Sequence, residues 1–487
     1  MDTSSFDTVK TAGDEHFSTS NGSPPSVIPP DHPFRTLVLC FDGTGDQFDS
    51  DNSNIVELFS MLPKADRTRQ MVYYQAGIGT YTIPKIATPL MSKMSKALDE
   101  AIAWNMDAHV MGGYEFLMQN YTANDRICIF GFSRGAYTAR SLAGMLHKVG
   151  LLPACNHQQI PFAYKMYTST DDKGWKQSNA FKKTFSINVD IEFIGVWDTV
   201  NSVGLIPRRL PFTTSNMIVR TFRHAVALDE RRAKFKVNLW NRSNEKEKLF
   251  SMFEQGNTQH TPAEQRAHPT RKKSQYPRDR PSDQTDIDEV WFAGCHCDVG
   301  GGSVENEVPH ALARISLRWM IRECFKTKSG IMFNSDGLRK IGLDPASLYP
   351  LVAPRPLALP AGTACIQAIP TKTSESSVET ERALLGDTEE AHELMDALSP
   401  IYDQLSLKWF WWILEWLPIR QRYQRSDNSW VKYFGWNMGK GRFIPRQKTR
   451  GVRVHRSVKT RMEAATDSGG KYEPRAKFDL ERTTWVD

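Results

Sequence analysis

The 487-residue chain has no apolar run long enough to cross a bilayer; its most apolar stretch, residues 408–418, is short and carries Glu415. No secretory leader is expected either. Asp2, Asp7, Asp14 and Glu15 stand where a secretory signal needs Lys or Arg, and no apolar core follows them, so an intracellular protein, cytoplasmic or peripheral at a membrane, is expected. Cysteines are few and odd in number, seven in all, scattered at 40, 128, 155, 295, 297, 324 and 365 and often inside apolar runs. That argues against a disulfide framework and for buried thiols in a reducing compartment. No internal repeat is visible. Hydrophobic residues at 40% and charged residues at 24% exclude collagen-like and wholly disordered classes.

What is present is uneven. The formal charge is +7. Residues 420–461 alone hold thirteen Lys and Arg against the single acid Asp427, a surplus of twelve, which leaves the rest of the chain five charges negative. Residues 1–33 are Ser, Thr, Asp, Gly and Pro with few large apolar groups, and are expected to form a disordered arm. From Phe34, apolar runs of strand length (36–41, 71–74, 126–130, 191–197 and 289–293) alternate with helical stretches, the longest expected over 95–119, where Leu98, Ile102, Met106, Val110 and Leu117 recur at helical spacing. Continuous apolar strands flanked by helices imply an α/β doubly wound, mainly parallel sheet covered on both faces. A catalytic domain is expected over 34–325, interrupted by a polar insertion at 241–287, followed by a C-terminal cap or extension over 326–487 with a helix near 391–405.

The strongest chemical signal is Gly131-Phe132-Ser133-Arg134-Gly135, directly after one strand-like run and before the helix-like residues 136–148. The bare pattern is weak. In a strand-turn-helix setting it becomes a nucleophile elbow, because only glycine fits where the sharp turn presses the backbone against its neighbours. A serine hydroxyl needs a base, and the base needs an orienting acid. The run 191–197 ends in Asp198, and the run 289–293 leads through Gly294 and Cys295 to His296. Ser133, Asp198 and His296 therefore occur in the order this architecture uses, each past a strand end. Asp298 and His455 keep the same order and are the rival acid and base. Without function, Asp198 would be a turn residue and His296 a hydrogen-bonded loop histidine.

For the oxyanion, the loop after the first strand (Asp42-Gly43-Thr44) and the residue after the serine are the expected donors: Gly43 or Thr44 together with Arg134. Asp42 invites comparison with aspartyl-nucleophile phosphatases, but these need a second Asp two residues earlier, where Cys40 stands. Cys295-His296-Cys297 invites a metal reading, yet a structural zinc site needs a second ligand cluster that the sequence lacks. No metal or other cofactor is expected.

FDGTGD, GFSRGAYTARSLAGML, GVWDTV and AGCHCDVGGG, in that order, resemble the α/β hydrolase family typified by the catalytic domain of type VI secretion phospholipase effectors. The resemblance covers residues 34–324, with a weaker echo at 408–418 and 455–461. It implies Ser133 as nucleophile, Asp198 as acid and His296 as base. The family's studied secreted members hydrolyse phospholipid acyl esters, and it also has intracellular fungal members without assigned substrates. The polar insertion is a departure from it.

Six of the thirteen tryptophans fall between Trp409 and Trp436, immediately before and within the basic segment. Three readings compete: a core helix packed on the catalytic domain, an interfacial element that inserts aromatics among anionic lipid headgroups, and a nucleic-acid surface, which no named motif supports. Together these features lead to an intracellular serine hydrolase of carboxylic esters, most readily lipid or phospholipid acyl esters, with peripheral contact to anionic membrane through residues 405–461. The alternatives are a catalytically silent scaffold on the same fold, and a thioesterase or peptidase using the same triad.

Overall fold

The computed structural model describes residues 24–43, 46–77, 91–200, 210–241, 247, 285–362, 364–369, 388–424, 430–466 and 469–487. Thr44, residues 1–23 of the expected arm and nearly all of the expected insertion lie outside them. The rest of the arm is placed: Val27–Ile28 pairs antiparallel with Phe333–Asn334, and Ile28 is buried. The expected arm thus contains one paired strand, at residues 27–28. The apolar pair Val27 and Ile28 gives this short stretch a contact that its polar composition conceals.

Eight parallel strands form the central sheet. In chain order they are β1 (Thr36–Phe41), β2 (Gln70–Gln75), β3 (Arg126–Phe132), β4 (Ile191–Trp197), β5 (Val219–Ala227), β6 (Asp286–Phe292), β7 (Val452–His455) and β8 (Thr483–Val486). Their spatial order is β8-β7-β6-β5-β4-β3-β1-β2, every neighbouring pair parallel. Side chains alternate as the pleat requires: Leu37, Leu39, Ile127 and Ile129 join one core, and Val38, Cys40, Cys128 and Phe130 the other. The first core is covered by α2 (Met91–Asn120), α3 (Ser133–Val149), α4 (Ile160–Thr168) and α5 (Asp172–Phe185); the second by α1 (Asn54–Ser60), α7 (Leu312–Lys326) and α9 (Arg456–Glu463). With a short helix α6 (His296–Gly300) after β6, and α8 (Glu389–Leu398) packed on α7 and α9, this is the expected doubly wound architecture. The chain runs from β1 out to β2 and then crosses to β3 on the other side of β1, which makes β1/β3 the switch point where such sheets open a crevice.

Three strands were not anticipated. β5 (VRTFRHAVA) is interrupted by polar residues that the fold satisfies: Arg223 pairs with Glu323 and Asp286, and His224 bonds Glu289. β7 and β8 come from the region expected as a C-terminal cap or extension, and they extend the same sheet. The helix expected near 391–405 is α8 plus the single turn Gln404–Leu407.

The tryptophan-rich segment is not a core helix. It forms two short turns, Trp409–Trp411 and Trp412–Glu415, followed by the hairpin Ile419–Gln424 and Trp430–Gly435. Its acid is inside and several of its aromatics are outside. Glu415 is 0% exposed and accepts from Ala233 N at 2.5 Å, Asn437 Nδ2 at 2.5 Å and Gly439 N at 2.8 Å, whereas Trp409 is 77% and Trp416 60% exposed. Three donors tie the carboxylate to the body of the protein, so the turns cannot roll to bury the rings without stranding it.

Because β7 belongs to the central sheet, Val454→Asp, which puts an unpaired charge at a fully buried position opposite Trp291, is expected to lower stability by more than about 2 kcal/mol in a single cooperative transition. Denaturant unfolding followed by fluorescence and circular dichroism checks this; an early C-terminal transition that leaves the rest of the curve in place would contradict it.

Candidate active site

Ser133, Asp198 and His296 follow β3, β4 and β6, all at the same edge of the parallel sheet. Ser133 starts α3 with φ of 58°, a left-handed value that costs a residue with a Cβ roughly 1–3 kcal/mol. The flanking glycines make that turn possible. A Cβ on Gly131 would lie 2.6 Å from Ala136 Cα, and one on Gly135 would lie 2.3 Å from the carbonyl oxygens of Phe41 and Asp42. The helix N-terminus is thus pressed onto the end of β1, with Ser133 at the point of the turn. Asp198 also has positive φ, 39°, with its N–H on Ala225 O at 2.8 Å.

His296 Nδ1 is 2.5 Å from Asp198 Oδ2, and His296 Nε2 is 2.8 Å from Ser133 Oγ. The carboxylate can only accept, so Nδ1 carries the hydrogen and Nε2 is left to accept from the serine hydroxyl. All three residues are buried. Phe132 and Phe235 lie against the imidazole at ring separations of 4.7 and 4.9 Å, and the His296 N–H donates to Glu230 Oε2 at 3.3 Å. Burial pushes the imidazole below its ordinary pKa, partly offset by the hydrogen bond and charge of Asp198. Burial would raise Asp198, but the charge of Arg442 and the hydrogen bonds from His296 and Arg442 outweigh it and hold the carboxyl well below the usual range. A neutral imidazole between a hydroxyl and a carboxylate is an arrangement in which the hydroxyl proton can leave as the oxygen attacks.

The rivals sit elsewhere. Asp298, in α6, accepts from Cys295 N at 2.8 Å, Ser303 Oγ at 2.8 Å and Tyr402 N at 3.0 Å, and burial pushes its carboxyl up to about 6. It fastens the loop that carries His296. His455, at the end of β7, stacks on Phe292, contacts Ser457 Oγ at 2.9 Å and is pushed down to about 3 by burial. Asp42 accepts from Ser53 Oγ, Tyr74 Oη and Gly43 N, pinning the loop after β1. This last bond corrects one expectation: the Gly43 N–H is committed to its neighbour's carboxylate, 2.8 Å away, and is not free to receive an oxyanion. Thr44 lies outside the described residues. The Arg134 N–H remains, in the first turn of α3, where no intrahelical acceptor exists.

One residue escaped the sequence altogether. Arg442, 244 positions beyond Asp198 and buried, reaches both carboxylate oxygens, with Nη1 2.5 Å from Oδ1 and Nη2 2.8 Å from Oδ2. It is one of thirteen basic residues in its segment, and nothing local distinguishes it.

Two substitutions separate the carboxylates. Asp198→Asn is expected to slow fluorophosphonate labelling of Ser133 by about 10³–10⁴-fold, whereas Asp298→Asn lowers the melting temperature and keeps the rate within about tenfold of the parent, measured by stopped labelling and gel fluorescence. An imidazole acting as a base works only when neutral, and that of His296 is pushed below the ordinary 6.5 by burial, so if His296 serves Ser133 the labelling rate is expected to stay above half its maximum at pH 6.5 and to fall only at lower pH. A midpoint above 6.5 would contradict this assignment of the base.

Comparison with known proteins adds the family. The chain is 27% identical to the uncharacterized protein YEL023C of Saccharomyces cerevisiae over 559 aligned positions, covering 91% of this chain and 81% of that one. Among solved structures it is similar to an uncharacterized protein from Pseudomonas aeruginosa (TM-score 0.32, 18% identity, 61% of this chain and 46% of that one). A second is the Tle1 effector bound to the VgrG spike of the type 6 secretion system (TM-score 0.28, 17% identity, 55% and 52%). The chain thus spans about half the length of each of those two structures. The family model described as "T6SS, Phospholipase effector Tle1-like, catalytic domain" matches residues 35–323, more than half of the sequence. With that match laid over the sheet that carries Ser133, Asp198 and His296, the chain belongs to the Tle1-like phospholipase effector catalytic-domain family.

Proposed function

We propose that the protein is a serine hydrolase that cleaves carboxylic esters of lipids through an acyl-enzyme intermediate. The observation that carries this reading is the unbroken hydrogen-bonded line from Ser133 Oγ through His296 to Asp198, starting at a serine held in a strained turn. Membership of a phospholipase-named family supports the lipid ester as substrate class.

Ser133 Oγ attacks the acyl carbonyl carbon while His296 Nε2 takes its proton. The imidazolium is stabilised by Asp198, and the oxyanion by the Arg134 N–H and the dipole of α3. His296 then returns the proton to the departing alcohol oxygen as the ester bond breaks. Water repeats the sequence on the acyl-enzyme: His296 takes its proton, the acid leaves, and Ser133 regains its hydrogen. The same steps serve a thioester or an amide, so the leaving group is decided by the walls of the site.

A specific observation also favours contact with anionic membrane. Trp409, Phe410, Trp416, Leu417, Phe434 and Trp436 are all exposed, the first four immediately before the segment with the basic surplus and the last two within it. Amphipathic rings beside basic side chains suit the headgroup layer, where each Lys or Arg near an anionic surface contributes about 1 kcal/mol. The patch adjoins the site: Trp411 stands edge-on to Phe235 at 5.6 Å, and Phe235 contacts the His296 ring.

Ser133→Ala is expected to reduce turnover of short p-nitrophenyl esters by about 10⁴-fold or more and to abolish fluorophosphonate labelling; labelling that persists would sink the proposal. A screen of ester chain lengths and phospholipids with the parent protein then identifies the substrate, and a parent that turns over no ester leaves the scaffold reading standing. In vesicle flotation, Trp409→Ser with Trp416→Ser is expected to weaken binding to anionic vesicles at least tenfold, with turnover of a water-soluble ester unchanged. Equal binding by the double variant would remove the membrane reading and leave the hydrolase reading intact.

A further inference from the structure

Asp198 is surrounded more completely than orientation of an imidazole requires. Oδ2 takes His296 Nδ1 and Arg442 Nη2; Oδ1 takes Arg442 Nη1 and the Ala227 N–H at 2.9 Å. The guanidinium is itself immobilised, donating to Ala227 O at 3.1 Å from Nη1 and to Phe235 O at 2.6 Å from Nη2 and 3.2 Å from Nε. A planar fork on a planar carboxylate fixes the plane of that carboxylate, and with it the direction in which Oδ2 faces the imidazole. Phe235, whose carbonyl holds the fork, lays its ring against His296 from the other side.

Arg442 is delivered from outside the family's matched region, which ends at residue 323. It stands just past the hairpin, at the end of a short tether whose other fastenings are also known. Asn437 donates to Glu415 Oε2 and to Arg231 O and accepts from Lys236 Nζ, and Gly439 N donates to Glu415. The aromatic turns, the hairpin and Arg442 are thus linked to the body through a small set of bonds that ends on the acid of the site.

We propose that Arg442 is the positioning residue of the Asp198–His296 pair, and that the C-terminal segment thereby completes a site which residues 35–323 do not complete alone. The proposal rests on the serine-hydrolase reading. Arg442 touches no substrate. It keeps a carboxylate that would otherwise lie buried with a single polar side-chain partner ionised and aligned, while Glu230, Arg232, His224 and Lys236 remain around it as the other charged or titratable neighbours. Removing one positive charge also makes the coupled Asp198–His296 unit bind its proton more tightly, whichever of the two holds it. The pH at which the base is lost then moves upward.

The test uses the full-length chain with Arg442→Gln, Arg442→Lys and Arg442→Ala, folding being checked by thermal melting, on a soluble short-chain ester. Arg442→Gln is expected to lower kcat about 10²-fold with KM changed less than threefold, and to move the acidic limb of the kcat/KM profile up by about one pH unit. Arg442→Lys, which keeps the charge without the fork, is expected to restore the limb but only part of kcat. Millimolar methylguanidinium is expected to raise the activity of Arg442→Ala at least tenfold, with methylurea as the uncharged control. Parent-like kcat in Arg442→Gln overturns the proposal, as does lost activity with an unmoved limb and no guanidinium rescue, which is the signature of a merely structural contact. Failure of the underlying reading looks different: the parent protein would then turn over the ester equally well with Ser133→Ala, whatever Arg442 does.

Discussion

Everything in the site turns on one buried carboxylate. Asp198 is fully enclosed and ionised, which would be costly in isolation, and it is tolerated because an imidazole, a guanidinium and a backbone N–H share its two oxygens. The carboxylate and its three partners come from four places in the chain: the loop after β4 supplies Asp198, the end of β5 the N–H, α6 the imidazole and the C-terminal segment the guanidinium. The central sheet brings the first three to one edge. The fourth is held there by its bonds to the carbonyls of Ala227 and Phe235, ten residues before β7 joins the sheet.

The surrounding architecture follows from the same constraint. The loop that carries His296 is tied down by Asp298, whose oxygens reach across to Tyr402, and by Glu230, which accepts the His296 N–H. Ser133 is placed by close backbone contact, since two glycines let α3 press against β1 and leave the serine with an unfavourable φ. Strain at the serine and charge at the aspartate are both held by packing that extends well beyond the site. The aromatic turns follow a related logic: Glu415 is anchored inward by three donors, and the rings around it are left in contact with solvent.

Much of the catalytic edge could be read in advance, for a specific reason. Strands buried on both faces are continuous apolar runs, and a polar residue placed just past such a run is conspicuous, as Ser133, Asp198 and His296 are. β5 was hidden because its arginines and histidine break the apolar run, and only neighbours distant in sequence, Glu323, Asp286 and Glu289, make them acceptable inside. β7 was hidden among basic residues. The oxyanion donor at Gly43 was misassigned because a backbone N–H carries no sign in its residue type of which acceptor it has found.

The sequence by itself determined the fold class, the strand-turn-helix setting of Ser133 and the order of Ser133, Asp198 and His296 past three strand ends, since each depends on hydrophobic period and on residues adjacent along the chain. The tertiary structure alone decided that Asp198 rather than Asp298 faces the imidazole, that the C-terminal region joins the central sheet, that Trp409, Trp416 and Trp436 face outward, and that Arg442 closes on Asp198. Those outcomes depend on which groups meet across hundreds of residues, and the energy of a buried charge is set by its neighbours in space.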